Sequence, residues 1–284
     1  MGKSEIIQID TSEEWVIGNG IMPSYINYYA NFPVKLECEV FIFCMEGSLE
    51  ATVNLIRTVV SKGQVSLVPS GSIIQVHSVS EDIKLYYLVF SKAYVSSMRM
   101  SKTVSDFQIS DNELIVGANC PITYYGALET MCNGFLDLYN ILERGERTDF
   151  SYNVYHWIHS MLRHICNKTG VMDDSRMPQN KKICRDFDDL VQKNFSKYRN
   201  VGWYASQMNL SQAYLCSVIK SVTGSTCTDK IASMVIMDSK SRLKLTGQSI
   251  QSIADDLHFA DASFFCKYFK RYVGKSPLEY RDSE

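Results

Sequence analysis

The sequence repeats one pattern near its C-terminus, and this repeat constrains the fold more than any other feature. The segments SQAYLCSVIKSVTG (211–224) and DASFFCKYFKRYVG (261–274) each begin with a residue that favours helix N-caps and end with glycine. With 100° between successive residues, each segment places apolar side chains on one arc and small or cationic side chains on the opposite arc. The repeat therefore predicts two amphipathic helices of the same design.

The apolar arc of each helix predicts which side chains are buried. The arcs contain Tyr214, Leu215, Val218, Ile219 and Val222 in the first helix and Phe264, Phe265, Tyr268, Phe269 and Tyr272 in the second. A surface helix buries its apolar arc against the protein core and leaves the opposite arc to solvent or to a partner. We therefore expect all ten of these side chains to face the interior.

A short helical segment and a turn precede each repeated helix. ASQMNL (205–210) parallels ADDLHF (254–259), and Asn209 and His258 lie where the turn is expected. A left-handed backbone is easiest for glycine but tolerable for asparagine or histidine. Each unit is thus predicted to be a short helix, a tight turn and a longer helix, which is the helix-turn-helix motif.

Two further helices complete the predicted C-terminal part. A helix over about 228–245 is expected to join the two units. Ser276 followed by Pro277 is the pattern of an N-cap and a first helical residue, and it predicts a last helix.

The segment SIQSIADDLHFADASFFCKYFKRYVGKSPLEYR (249–281) resembles the C-terminal signature of the AraC/XylS family of bacterial transcription factors. These positions carry the resemblance: Ile253, Ala254, Phe259, Ser263, Phe265, Phe269, Lys270, Gly274, Ser276, Pro277, Tyr280 and Arg281. The resemblance implies a cytoplasmic, sequence-specific regulator of transcription, an activator, which binds double-stranded DNA and contacts RNA polymerase.

The resemblance also implies which residues contact DNA. The second helix of each unit would enter the major groove, with base edges facing its open arc and phosphates flanking it. The implied base contacts are Gln212, Ala213, Cys216 and Ser217 in the first unit and Ala262, Ser263, Cys266 and Lys267 in the second, and the implied phosphate contacts are Lys220, Lys270 and Arg271. Lys267 suits guanine and Gln212 suits adenine, since their polar groups match those base edges.

The N-terminal part is predicted to consist mainly of strands. VKLECEVFIFCMEG (34–47), QVSLVPSGSIIQVHSV (64–79) and IKLYYLVFS (83–91) are apolar, partly alternating runs separated by turn residues. Such spacing predicts a small all-β barrel or sandwich. Its layout is similar to the cupin-like sensory domain of the same family, in which a β barrel is followed by a helical dimerisation hairpin.

A helical hairpin is predicted over 121–168. One apolar seam steps by four and three residues through Tyr124, Leu128, Met131, Phe135, Leu138 and Leu142, and a second runs through Val154, Ile158, Met161 and Ile165. The turn is expected at ERGERTDF (143–150). The hairpin is able to pack on the β domain, on a second copy of the chain, or on both, and we expect the first seam to hold a homodimer.

The predicted architecture is an α+β multidomain chain. It comprises a cupin-like β domain (1–120), the hairpin (121–170), a linker (171–182) and a DNA-binding domain with two helix-turn-helix units (183–284). Residues 1–170 contain 12 Lys and Arg against 18 Asp and Glu, whereas residues 171–284 contain 17 against 13. The positive excess in the second part is compatible with a polyanionic partner.

Composition and motifs disfavour other function classes. The sequence contains no run of about 18 apolar residues, so no membrane span is predicted. The nine scattered cysteines suggest buried thiols in a reducing cytoplasm. His77 is the one histidine before residue 120, so we expect neither an enzyme nor a metal cofactor. His156 and His159 have a spacing that suits a metal, but packing or surface exposure is the commoner role of such a pair.

The role of the N-terminal domain remains open. The N-terminal domain either binds a small-molecule effector or serves only as a dimerisation or protein-contact module; a metal-dependent cupin enzyme fused to a DNA-binding domain is the least favoured. Aromatic residues that would suit an effector cavity are Phe41, Phe43, Tyr86 and Tyr87.

Overall fold

The computed structural model of the protein describes residues 14–20, 32–100, 114–170 and 177–283. Within them the N-terminal part consists of strands and the C-terminal part of helices, as the sequence predicts. The strands are β1 Trp15–Asn19, β2 Val34–Lys35, β3 Cys38–Glu46, β4 Ser48–Val53, β5 Ile56–Ser61, β6 Gln64–Val68, β7 Ile73–Val79, β8 Lys84–Ser91 and β9 Ile115–Asn119.

The nine described strands form two antiparallel sheets. One has the order β1-β8-β3-β6-β9 and the other the order β2-β7-β4-β5. Over the described strands the sheets remain separate layers, so this part of the chain is a sandwich and not a closed barrel. Successive side chains of a strand point to opposite faces of the sheet, and the central strands bury side chains on both faces. In β3, Phe41 packs with the helical hairpin, whereas Val40 packs in a smaller core with Val68 and Val89.

The hairpin covers one face of the five-stranded sheet. A short helix, α1 Lys92–Met100, follows β8, and the hairpin consists of α2 Ile122–Ile141 and α3 Arg144–Thr169. The turn is shorter than the sequence suggests, because Glu143 caps α3 with a reciprocal pair of hydrogen bonds to Glu146 and most of the expected turn is helical. No helix in the described ranges is sufficiently long and apolar to cross a membrane.

The seam of the hairpin faces the same chain. Leu128 and Phe135 of α2 are buried against the five-stranded sheet and α3, where they meet Val154 and Ile165. Tyr124 and Met131 pack on the edge of this core, Leu142 is half-buried, and Leu138 keeps 37% of its surface exposed. The periodicity therefore describes a core within one chain, and dimerisation through it stays a prediction.

Seven helices form the C-terminal part within the described residues 177–283. They are α4 Gln179–Asn194, α5 Val201–Gln207, α6 Gln212–Thr223, α7 Cys227–Leu245, α8 Ile250–Asp256, α9 Ala262–Val273 and α10 Pro277–Asp282. The joining helix and the last helix are the α7 and α10 that the sequence predicts, and Ser276 caps α10 with Pro277 at its first position. Since α4 begins at Gln179, helix already occupies the end of the segment predicted as a linker, and that boundary remains untested.

The two halves of the chain meet at α7. The backbone N–H of Lys35 in β2 donates to Ser241 Oγ at 3.0 Å, and its ammonium lies 3.4 Å from Asp238 Oδ1. Asp238 is fully buried and also accepts a hydrogen bond from Arg242 Nε at 3.0 Å, so two cations flank this buried carboxylate. Ile73 of β7 is fully buried in the core of the C-terminal helices. The sheets thus rest on the helix that joins the two repeated units.

Candidate nucleic-acid interface

The two repeated units have the same backbone at their turns. Asn209 and His258 adopt left-handed φ values of 54° and 53°, as predicted. The next residue in each unit closes the turn with the same bond: Leu210 N donates to Ala205 O and Phe259 N to Ala254 O, both at 2.9 Å. The repeat in sequence is therefore a repeat in structure.

Each recognition helix begins and ends as predicted. Ser211 accepts a hydrogen bond from the Tyr214 N–H at the start of α6, and Asp261 accepts one from the Phe264 N–H at the start of α9. Gly224 and Gly274 end the two helices in the left-handed conformation that an L-residue with a Cβ disfavours. We call α6 and α9 the recognition helices.

The predicted burial of the apolar arcs is only partly correct. Leu215, Val218 and Ile219 are buried in α6, and Phe265 and Phe269 are fully buried in α9. Four members of the predicted arcs are exposed instead, with exposed fractions of 46% for Tyr214, 40% for Val222, 57% for Phe264 and 37% for Tyr272. Each recognition helix packs against its unit through a narrow stripe only, so residues at the edges of the arc reach solvent.

The structure exposes most of the residues predicted to contact DNA. The exposed ones are Gln212, Ala213, Ser217 and Lys220 on α6 and Ser263, Lys267, Lys270 and Arg271 on α9; Cys216, Ala262 and Cys266 are half-buried. Those on α6 form one surface and those on α9 another. An exposed surface with cations beside small polar residues has the chemistry required for phosphate and base contacts.

Burial favours the neutral form of two thiols, one on the α9 surface and one beneath α6. Cys227 at the start of α7 is buried beside Cys216, and burial followed by this neighbouring thiol raises the pKa of Cys227 to about 12. Burial also raises the pKa of Cys266. A neutral thiol carries no charge that would repel phosphate, so the half-buried Cys266 leaves the cationic character of the α9 surface intact.

The cations at the ends of the recognition helices differ in their contacts. Lys220 Nζ donates to the carbonyl of Gly224 at 2.5 Å, which places its charge at the C-terminus of α6. The Arg271 guanidinium lies over the ring of Tyr272 at 5.6 Å. Lys267 lies nearer the N-terminus of α9, on the side that also exposes Ser263.

Tyr214 and Phe264 are candidate contacts that the sequence interpretation missed. They occupy the same position in the two recognition helices, beside Ala213 and Ser263, and their rings are exposed. The signal that could have identified them is the repeat itself, which places an aromatic residue at the third helical position of both units. Aromatic rings offer apolar contact to sugars and to the thymine methyl group.

The histidines of the N-terminal part have ordinary structural partners. His159 is buried and its Nε2 lies 2.9 Å from Glu39 Oε1, whereas His156 packs against the ring of Tyr152. His77 lies on the exposed side of β7, 2.7 Å from Thr52 Oγ1. Among the described residues no group of three or more His, Cys, Asp or Glu side chains is arranged to hold a metal ion.

Comparison with known proteins gives one family match. Residues 204–283 match the family described as a helix-turn-helix domain. The raffinose operon transcriptional regulatory protein RafR of Pediococcus pentosaceus is 33% identical over 93 residues, which are 33% of this chain and 34% of RafR. The regulatory protein SoxS of Escherichia coli (strain K12) is 26% identical over 101 residues, which are 36% of this chain and 94% of SoxS.

The extent of these matches limits what they transfer to this chain. The chain spans about a third of the length of the first curated relatives it matches. The crystal structure of unsaturated fatty acid bound ToxT from Vibrio cholerae superposes on 94% of this chain with 15% identity and a TM-score of 0.41. With its paired motifs and this family match, the C-terminal part of the chain, residues 204–283, is a helix-turn-helix domain, and it contains the segment 249–281 that resembles the AraC/XylS signature.

Proposed function

We propose that the protein is a sequence-specific DNA-binding regulator of transcription whose two recognition helices read successive turns of the same duplex. The observation that carries the proposal is the paired geometry: two units with corresponding left-handed turns and side-chain caps, each presenting an exposed helix that carries cations. A helix of this size fits the major groove, where the four base pairs are distinguishable. RNA polymerase is a further partner in this proposal, as the activator role requires.

Selection of DNA in vitro tests this function directly. The full chain should enrich, from a randomised pool, duplexes with two short elements whose centres lie about 10–10.5 base pairs apart. Mapping of bound sites across a genome should then recover the same elements. Enrichment of no sequence over the starting pool would show that the proposal is wrong.

We infer that the protein forms a homodimer through the outer face of α2. Although the seam residues Leu128 and Phe135 are buried within one chain, α2 exposes 37% of Leu138, 77% of Ile141 and 90% of Ile122. Leu138 and Ile141 lie one helical turn apart, and neighbouring exposed apolar side chains of this kind are candidates for contact with a second copy of the chain. A dimer would also place four recognition helices on one DNA.

Leu138→Lys should convert the dimer to monomers in sedimentation velocity without unfolding the chain. A lysine at this half-exposed position can extend its ammonium to water in the monomer, but the dimer would have to bury it. Asn153→Lys is the matched control, because it adds the same charge at an exposed polar position of α3, outside the proposed interface. An unchanged dimer with Leu138→Lys would contradict this interface.

Two cavities bear on the proposed small-molecule effector. The predicted aromatics Phe41 and Phe43 line a cavity of about 40 Å³ between the five-stranded sheet and the hairpin, and Tyr86 is buried in the same core, where it donates to Asn133 Oδ1 at 2.6 Å. Tyr87 packs in the smaller core on the other face of the sheet. Typical ligand sites enclose about 300–1,000 Å³. The inner cavity is too small for such a ligand in this conformation.

A larger groove lies between the two halves of the chain. It measures about 410 Å³ and lies between the turn after β4, with Asn54 and Leu55, and the α7 residues Ser233, Ile236 and Met237. A ligand here would contact α7 and the sheets together. The ligand-independent alternative is supported by the direct contact of Lys35 with α7, which couples the halves without any ligand.

A further inference from the structure

Arg199 joins the two helix-turn-helix units through its side chain. It lies in the loop between α4 and α5, immediately before the first unit. Its Nη1 donates to the carbonyl of His258 at 3.3 Å, and its Nη2 donates to the carbonyl of Leu257. The guanidinium carbon also lies 3.8 Å from the centre of the Phe259 ring. Three consecutive residues of the second unit are thus held by one residue of the loop that leads into the first unit.

The residues that Arg199 contacts form the turn before the second recognition helix. Leu257 ends α8, and His258 has the left-handed backbone that reverses the chain. Carbonyls at a helix C-terminus lack partners within the helix, so an arginine is a suitable donor for them. Phe259 is buried and contacts the Phe265 ring of α9 at 5.2 Å. A shift of Arg199 would therefore be transmitted to α9.

The planar shape of the guanidinium suits this position. Arg199 is half-buried between the units, and burial lowers the pKa of its guanidinium from the ordinary arginine value. One plane donates to two carbonyls and stacks on an aromatic ring, which a lysine ammonium cannot reproduce. Its Nη2 also lies 3.4 Å from the carbonyl of Ser196 in its own loop. These contacts thus fix both the orientation of the Arg199 guanidinium and its distance from the turn of the second unit.

Another connection between the units runs through α7. Arg242 of α7 donates to Asp256 of α8 at 2.7 Å, and Arg281 of α10 donates to the carbonyls of Leu243 in α7 at 3.3 Å and of Gln248 before α8 at 2.6 Å. These bonds hold the second unit to α7 but do not reach the α4–α5 loop. Arg199 therefore supplies a second connection, which restricts rotation of the second unit about the end of α7.

We propose that Arg199 is a positioning residue that fixes the second recognition helix relative to the first and thereby sets the spacing of the two DNA elements that the protein accepts. The proposal rests on the proposed DNA-binding function. It assigns no DNA contact to Arg199. Its effect on binding should depend on how the two elements are spaced and should be small where only one element is present.

Binding of Arg199→Ala to a series of duplexes tests the spacing effect. The duplexes are those the unaltered chain selects from a randomised pool, the same duplexes with one or two base pairs inserted between the elements, and duplexes with one element scrambled. At the selected spacing we expect about a tenfold loss of affinity, since two hydrogen bonds from a charged donor are removed. The preference for that spacing over the inserted ones should shrink, and single-element binding should change little.

Two variants distinguish the positioning role of Arg199 from the simple loss of a positive charge. Arg199→Lys keeps the charge without the planar fork and should recover only part of the spacing preference. Lys197→Ala removes one positive charge from an exposed position in the same loop and should leave the spacing preference intact. Equal losses on all duplexes, or an unchanged spacing preference in Arg199→Ala, would overturn the proposal.

A measurement without DNA tests the positioning role on its own. Spin-labelled amino acids at the exposed positions of Ser217 in α6 and Ser263 in α9 report the distance between the recognition helices. The distribution should widen in Arg199→Ala while circular dichroism shows the helices intact. An unchanged distribution would overturn the positioning role. A protein that selects no DNA but shows this widening would contradict only the regulatory function.

Discussion

Replacing Phe269 by alanine should lower the free energy of unfolding by about 3–5 kcal/mol, the usual effect of removing a buried phenylalanine. Phe269 is fully buried in α9, where its ring lies 5.9 Å from that of Phe265 and 5.6 Å from that of Tyr280. The substitution opens a cavity that these neighbours can fill only partly. Denaturant titration followed by circular dichroism measures the change.

Phe264→Ala is the matched control for this prediction. It removes the same side chain from the same helix, but Phe264 keeps 57% of its surface exposed, and the centre of its ring lies 6.1 Å from that of Phe259. We expect a loss below about 1 kcal/mol, as is usual for surface substitutions. Equal losses for the two variants would mean that α9 packs differently from the arrangement described.

The comparison of Phe264 with Phe269 also shows where prediction from sequence fails. The projection placed both residues on one apolar arc, because periodicity records chemical type and not the width of the surface that a helix meets. A recognition helix must leave most of its circumference free for a groove, so its core contact is narrower than that of an ordinary surface helix. The same reason accounts for the exposure of Tyr214 and Tyr272.

Features fixed by neighbouring residues were predictable. The caps at Ser211 and Asp261 and the left-handed turns at Asn209 and His258 depend on interactions within a few residues, and all four are as expected. Contacts between distant residues were not. The side chain of Arg199 reaches carbonyls 58 and 59 positions further along the chain, and no local pattern specifies such a pairing.

The hairpin shows a further limit of prediction from sequence. The seam through Leu128 and Phe135 has the spacing of a dimer interface, and the same spacing serves a helix that packs on its own sheet. Periodicity identifies which face is buried but not which surface covers it. For this reason the dimer is argued from the exposed residues Leu138 and Ile141, which the folded chain leaves uncovered.

Lys267 and Arg271 should differ in what they contribute to DNA binding, although both are exposed cations of α9. Lys267 lies nearer the N-terminus of the helix, where side chains of recognition helices reach base edges. Lys267→Ala should therefore weaken binding to the selected duplex by about 1–3 kcal/mol and relax the preference at one base pair. Arg271 lies in the last turn, beside Tyr272, where the nearest acceptors would be phosphates.

Arg271→Ala is consequently the matched control, since it removes one positive charge from the same helix. It should weaken binding to all sequences by similar factors and reduce the slope of log affinity against log salt concentration by about one unit. The measurement is a titration of each variant against selected and scrambled duplexes at several salt concentrations. If both variants lose affinity equally on both duplexes, the second unit acts only as an electrostatic clamp. Base recognition would then have to come from the first unit, in which Gln212 is the residue with bidentate capacity toward adenine.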